Sequence, residues 1–421
     1  MKILYLHQYF NSPDMFGGTR SYEMARRLVA MGHEVHLITS RREACEMNSW
    51  FETDVAGISV HWLPIPYSNN FSFAARIKAF FKFAYGAARK AAHIEADLVF
   101  ATSTPLTIAL PAIYAANKQN IPMVFEVRDL WPELPIAIGA LRNPFLRFAA
   151  YGLEKWAYKN SAAVVALSPG MKAGVVATGY PSSNVAVIPN SSDNFEFAYD
   201  ADAARQFRTE RKWLQDKPLL VYTGTFGRIN GVGYMIELAS ALMARNSHVR
   251  ILLVGDGAER DYVKLAAERV GVYQKNLFIE DPLPKKSIPA LLSAATMASV
   301  LFIDLPEMRA NSANKFFDAL ASGTPVLLNY GGWMHDLVVE RQCGLPMWKM
   351  SVQEIAEILD TKMHDKAWLN KAGKAARKLA EDCFDRDVLA SQLMAVIQSA
   401  FDGNPNNAHK IAPGDYAQTP F

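Results

Sequence analysis

Lys315 and Asp318 stand three positions apart in the stretch NSANKFFDALASGTPV, residues 311–326, a spacing that puts both on one face of a helix near its first turn. A lysine there can neutralise phosphate, and a carboxylate can accept from two vicinal hydroxyls, which is what a diphosphate joined to a ribose requires. An ordinary exposed ion pair has the same spacing and contributes little. Asn311, Ser312 and Asn314 add donors and acceptors just ahead of the pair. A second cation, Arg228, ends the loop Gly224-Thr225-Phe226-Gly227-Arg228, with Asn230 two residues on. Its forked guanidinium suits a diphosphate through paired charge-assisted bonds.

Glycine-bearing loops accompany these cations. Gly17-Gly18 precede a helical stretch with Met24, Leu28 and Met31 on one face, and Gly255-Asp256-Gly257 follow an aliphatic run. Such loops let backbone approach a ligand, and one that opens a helix offers free N–H groups to an anion. The GxGxxG pattern of dinucleotide binding is absent at Gly17-Gly18, which counts against a dehydrogenase. One more charged loop, Arg128-Asp129-Leu130-Trp131-Pro132-Glu133, follows an apolar run.

The elements that must position these residues are strands and helices in alternation, the pattern of βα units around parallel sheets. Strands are predicted at 2–6, 34–39, 58–62, 97–101, 123–127, 163–167 and 185–188, then at 219–223, 249–255, 276–280, 298–304, 325–329 and 344–347. Between the two series lies Pro189-Asn190-Ser191-Ser192-Asp193-Asn194, a turn-rich linker. Domains are therefore expected at 1–190 and 195–383, with helices at 352–362, 367–382 and 386–401, the last (384–401) crossing back to the first domain. Residues 403–421, polar and rich in Gly, Pro and Asn, are expected to be a flexible tail. Open α/β sheets bind ligands beyond the carboxyl ends of their strands, so the chemistry belongs in a cleft between the domains.

With 421 residues, half of them hydrophobic and 20% charged, the chain can bury two cores and is not a disordered or disulfide-stapled protein. A formal charge of +3 supplies no global field towards nucleic acid, and no nucleic-acid partner is expected. Cys45, Cys343 and Cys383 match no metal spacing and suit a reducing compartment. Neither a signal peptide nor a membrane-spanning run is evident.

Taken in order, Gly17-Gly18, the GTxGR loop, the GDG loop and N-K-x-F-D-x-L-A-S-G-x-P-V resemble the retaining glycosyltransferases of family four. The resemblance spans nearly the whole chain short of the tail and is most specific at residues 311–332. It implies an α/β GT-B architecture, two Rossmann-like domains with parallel sheets facing across a central cleft. The bacterial branch that builds O-antigen or capsule, which includes fucosaminyltransferases, is the most similar. The resemblance implies that Arg228 and Lys315 hold a donor diphosphate, Asp318 the ribose hydroxyls, and Gly17-Gly18 the phosphates from the other domain. Gly227, Asn230, Gly255, Asp256, Gly257, Asn311, Ser312 and Asn314 complete the donor site, while Arg128 and Asp129 face the transferred sugar or acceptor. The donor is expected to be a UDP-sugar, with no cofactor and no metal.

Departures from the family pattern fall at informative places. Where many members have two glutamates eight positions apart, this chain has Ala310 and Asp318, which leaves Glu307 or the backbone at 311–313 to meet the sugar. The lysine usual after the GTxGR arginine is replaced by Asn230-Gly231-Val232, which places more phosphate charge on Lys315. In FSFAARIKAFFKFAYGAARK, residues 71–90, Phe73, Ile77, Phe80, Phe81 and Ala84 follow helical spacing beside five basic residues and no acid. That pattern fits a helix resting on an anionic membrane or one packed on the sheet with a solvated basic edge; the resemblance, with its lipid-linked acceptors, favours the first. The expectation is a cytoplasmic enzyme at the inner face of the membrane, moving a sugar to a lipid-linked saccharide with retention. A UDP-sugar epimerase and a non-catalytic nucleotide-sugar-binding subunit are the alternatives.

Overall fold

The computed structural model describes residues 1–15, 17–43, 45–67 and 71–416, with the Phe73 side chain outside them. Among the described residues the strands make two sheets. The first comprises β1 (Lys2–Leu6), β2 (Glu34–Arg41), β3 (Phe51–Val55), β4 (Ile58–Pro64), β5 (Leu98–Thr102), β6 (Met123–Val127), β7 (Ala163–Ala166) and β8 (Val185–Val187), in the order β3-β4-β2-β1-β5-β6-β7-β8. The second comprises β9 (Leu219–Thr223), β10 (Arg250–Val254), β11 (Leu277–Glu280), β12 (Met297–Val300), β13 (Val326–Leu328) and β14 (Gly344–Pro346), in the order β11-β10-β9-β12-β13-β14. Both are parallel apart from the antiparallel β3–β4 hairpin at one edge. In each sheet the first strand sits inside the order, β1 between β2 and β5 and β9 between β10 and β12. Chain direction reverses there, and a crevice opens at the carboxyl ends. This is the expected pair of Rossmann-like lobes.

β3 was absent from the sequence expectations because FETDV has no apolar run. Its middle residues are exposed, and the turn that returns it to β4 is closed by Gly57 N–H donating to Asp54 Oδ1 at 3.1 Å. The other strands are buried on both faces, which is why continuous aliphatic runs located them.

Helices cover both faces of the first sheet. α1 (Arg20–Ala30) packs on one face, and α2 (Phe73–Ala91) and α3 (Ala109–Gln119) on the other. α4 (Glu133–Ala137), α5 (Pro144–Lys159) and α6 (Pro169–Ala177) follow. The helix Arg386–Phe401 returns to this lobe: Leu389, Leu393, Val396 and Ile397 join the core of Ile3, Tyr5 and Val35.

Two sequence expectations need correction. On α2 the core under the sheet is met by Ala79, Phe83, Ala87 and Ala91, with Phe80 and Ala84 also buried, while Phe81, assigned to the apolar face, is 54% exposed; the Phe73 side chain lies outside the described residues. Two adjacent phenylalanines fit the helical period equally well, and the alanines beyond them decide which one turns inward. Of the tail expected at 403–421, residues 403–416 are not free, and 417–421 lie outside the described residues. A short helix, Ala408–Ile411, buries Ala408 and Ala412 in the first lobe, and the Tyr416 hydroxyl donates to Val187 O at 3.0 Å. Its few apolar residues are spaced to dock, which composition alone hides.

A charged candidate site in the cleft

Between the lobes lies a cavity of about 700 Å³, lined from both sides by loops after the strands. The helix Asn314–Ala321 points its first turn into it. Its N-cap is Ala313, whose side chain cannot cap it; the Phe316 N–H donates to Ala313 O at 3.0 Å, and the Asn314 and Lys315 amides at the very start have no side-chain cap. Phe316, Phe317, Leu320 and Ala321 anchor the helix in the second core, which leaves Lys315 on the cavity side.

Lys315 forms no ion pair among the described residues. Its Nζ lies 4.1 Å from the Tyr222 ring centre and 5.9 Å from that of Phe302. Burial without a counter-charge pulls its pKa down from 10.5 to about 7. Gly224, at φ +143° after β9 of the same lobe, packs beside it, where a Cβ would stand 2.8 Å from that Nζ. The site thus holds a lysine whose charge is not matched by any acid, beside bare backbone.

Asp318 is committed to protein contacts. Oδ1 accepts from Ser192 Oγ at 2.8 Å, and Oδ2 pairs with Lys285 Nζ at 2.6 Å. An ionised carboxylate keeps further lone pairs for ligand hydroxyls. The loop ahead of the helix is likewise engaged. Ser312 Oγ accepts from Asn190 N–H at 3.0 Å, Asn190 Nδ2 donates to Ser312 O at 2.5 Å, and Asn311 is held by Met308 O and Trp333 Nε1. The linker is therefore a buried floor of the cleft rather than a loose connection.

From the first lobe, Gly17 at φ +122° turns the loop against Asn11, whose Nδ2 donates to Gly18 O at 3.2 Å. A Cβ at Gly18 would come 3.2 Å from Asn314 Nδ2 and 3.7 Å from Arg128 Nη2, so the two lobes' loops meet at this glycine. Arg128 Nη1 donates to His7 Nε2 at 3.3 Å, and His7 Nδ1 lies 2.8 Å from Ser21 Oγ. Burial and two nearby arginines hold the His7 pKa well below its usual value. The imidazole is neutral, with Nε2 the acceptor and the Nδ1 proton directed to Ser21. Asp129, beside Arg128, is pushed up to about 6 by burial, the arginine opposing the shift.

Most of the sequence-predicted site residues line this one cavity: Gly17, Gly18, Arg128, Asp129, Asn230, Gly255, Asp256, Asn311, Ser312, Asn314, Lys315 and Asp318. Three do not. Arg228, expected to open towards the cleft, is exposed on the turn Arg228–Asn230 and outside the lining, as are Gly227 and Gly257. The turn that begins at Gly227 carries the arginine outward, and Gly257 is packed on the Phe226 backbone. Ala310 does not face the cavity either. Ser168 Oγ donates to its carbonyl at 2.5 Å, and a Cβ on Gly170 would come 2.8 Å from its own Cβ. Ala310 is thus part of the contact between the lobes. His7, Asn11, Arg42 and Lys285 also line the cavity; sequence reasoning missed them because none stands beside a recognisable pattern.

Residues 17–191 match the Glycosyl transferase 4-like domain, and residues 204–379 match Glycosyl transferases group 1. An uncharacterized glycosyltransferase of Methanocaldococcus jannaschii is 21% identical over 261 residues, 60% of this chain and 64% of that protein, so the match spans just under two thirds of the relative. WcaI of Escherichia coli strain K12, named as a colanic acid biosynthesis glycosyl transferase, is 23% identical over 308 residues, 69% of this chain and 74% of WcaI. The structure of Anabaena HepE in complex with UDP-glucose superposes with a TM-score of 0.70 at 18% identity, covering 95% of this chain and all of that one. At that identity the likeness establishes a shared fold.

Proposed function

We propose that this chain, a member of the GT-B glycosyltransferases with a 4-like first lobe and a group 1 second lobe, moves a sugar from a UDP-sugar to a lipid-linked saccharide, with retention of configuration, in the synthesis of a bacterial surface polysaccharide. The observation that carries the reading is Lys315, a half-buried lysine with no ion pair among the described residues, at the start of a helix with no side-chain cap, packed against Gly224 of the same lobe on the cavity wall. Such a group is costly to keep charged and gains most from an anion. HepE's complex with UDP-glucose supports the donor class, and WcaI's name supports the product class.

In this reading the donor diphosphate lies against Lys315 and the Asn314–Ala321 helix start, with Gly18 closing from the first lobe. The sugar–phosphate bond breaks as the acceptor hydroxyl attacks from the same face, and the leaving diphosphate takes the hydroxyl proton. Protein groups position the substrates and stabilise developing charge; no protein nucleophile and no metal are required. Asp129 and Arg128 line the side where the transferred sugar would lie.

For the acceptor, α2 turns Phe81, Tyr85, Lys78, Lys82 and Arg89 outward, and α5 exposes Phe145 and Phe148 by 83% and 82%. No helix among the described residues is long and apolar enough to cross a membrane. Aromatic and basic side chains on helix surfaces suit peripheral contact with anionic lipid at the inner face of the cytoplasmic membrane. A thermal-shift panel of UDP, GDP, ADP and their sugars tests the donor: a rise confined to UDP compounds is expected, and no response to any nucleotide overturns the reading. Incubation with UDP-sugar alone separates transfer from epimerisation, since an epimerase converts its donor without an acceptor.

A further inference from the structure

His7 follows β1 in the middle of the first sheet, is only 3% exposed, and still lines the cavity. Its Nε2 accepts from Arg128 Nη1 at 3.3 Å, and its Nδ1 lies 2.8 Å from Ser21 Oγ on the first turn of α1. Arg128 follows β6, with β5 between it and β1, and its backbone N–H donates to Ser103 Oγ beyond β5 at 3.0 Å. The guanidinium therefore reaches back across the end of β5 to the imidazole. Arginine offers no acceptor, so the ring nitrogen that faces it carries the lone pair, and Ser21 receives the proton on the other nitrogen.

A neutral partner is an unusual choice for an arginine in so buried a place, since a carboxylate would hold it more tightly. The acids near by are engaged elsewhere. Glu126 accepts from Arg20 and Thr102, and Glu43 pairs with Arg41. Arg128 forms no ion pair among the described residues, Asp129 included. Arg42, the second arginine whose charge acts on His7, is likewise held by a neutral acceptor, Asn11 Oδ1. An acid at position 7 would fix Arg128 and cancel its charge; an imidazole fixes it and leaves the charge whole. That charge has a direction. A Cβ on Gly18 would stand 3.7 Å from Arg128 Nη2 and 3.2 Å from Asn314 Nδ2, so the guanidinium comes up to the glycine where the lobes meet, opposite the residue that precedes Lys315.

We propose that His7 is a positioning residue: as a neutral acceptor it aims Arg128 past Gly18 at the sugar-bearing phosphate of the donor, so that this phosphate meets one cation from each lobe, Arg128 and Lys315. The assignment deepens the UDP-sugar reading and rests on it. That phosphate gains negative charge as its bond to the sugar breaks, and a fixed cation that no acid neutralises stabilises it best.

Calorimetric titration of UDP, UMP and uridine into the full chain tests it. Wild type is expected to bind UDP more tightly than UMP. His7→Phe keeps a ring and removes the acceptor; it should weaken UDP about three- to tenfold, the scale of one hydrogen bond, and leave uridine within about twofold. His7→Gln, whose Oε1 can stand where Nε2 stood, should recover most of the loss. Arg128→Gln should weaken UDP about ten- to hundredfold, and His7→Phe added to it should cost nothing further, because the two side chains act as one unit. Ser21→Ala frees the ring to carry its proton on Nε2 and takes the place of His7→Phe in that cycle if His7→Phe does not fold. Unchanged UDP affinity in the His7 variants, an equal loss of uridine, a loss that adds to that of Arg128→Gln, or a wild type that binds UMP as tightly as UDP would each overturn the proposal. If wild type binds none of the three, the donor reading itself falls; UDP binding that ignores position 7 removes only the role of His7.

Discussion

At the scale of single residues, Lys315 sets the pH response. With its pKa near 7 in the folded chain against 10.5 for a free lysine side chain, the unfolded chain holds more protons between those values, so its contribution makes stability rise with pH there. A bound diphosphate restores the charge. UDP binding at pH 8 should therefore take up a proton, and affinity should fall as pH rises above 7. Calorimetry in buffers of differing ionisation enthalpy measures both; proton release, or no exchange, contradicts the assignment. Lys315→Ala should lower turnover by about two orders of magnitude or more, and near-normal turnover rejects its role against the leaving group. Lys315 and Asp318 were legible because both sit on one helix turn. Lys285, 33 residues before the Asp318 it pairs with, and Arg42 and His7 were not, since only the three-dimensional crossing of loops makes them neighbours.

At the scale of elements, local pattern read twelve of the predicted strands to within about two residues, because parallel strands buried on both faces must be aliphatic throughout; the strand expected over 298–304 stops at Val300, where the chain turns into the cleft. It failed where burial is one-sided, as at β3, or settled by a distant partner, as on α2. The corrected α2 sharpens the membrane prediction. Lys90 is bound to Glu52 at 2.7 Å, so Lys78, Lys82 and Arg89 are the exposed charges free to meet lipid. Replacing those three with Gln should lower sedimentation with anionic vesicles, with little effect on Tm or UDP binding. Unchanged sedimentation would leave α2 as a solvated packing helix.

At the scale of the molecule, the lobes touch through more than the linker. Gly170 meets Ala310 so closely that Gly170→Ala should overpack the contact, cost about 1–3 kcal/mol and lower Tm; an unchanged Tm would show that the lobes yield easily. Transfer should survive EDTA, and loss restored by manganese would reject the metal-free mechanism. The two-lobed plan was legible from the restart of the strand series. The seam between the lobes was not, because its contacts join residues far apart in sequence. Ser191 O accepts from Arg386 Nη2 at 2.6 Å, Ser192 bridges to Asp385, and Tyr416 reaches Val187 while stacking near Phe384 and Trp333. The backbone thus passes between the lobes at neighbouring points, outward at 190–194 and back at 384–386, with the 412–416 segment laid across the same seam. The chain is covalently continuous there, so the lobes stay close at these crossings in any rearrangement of the cleft. Lobes that part would pivot on those two chain crossings, and a cut or a bulky fusion near residue 416 would act on that seam.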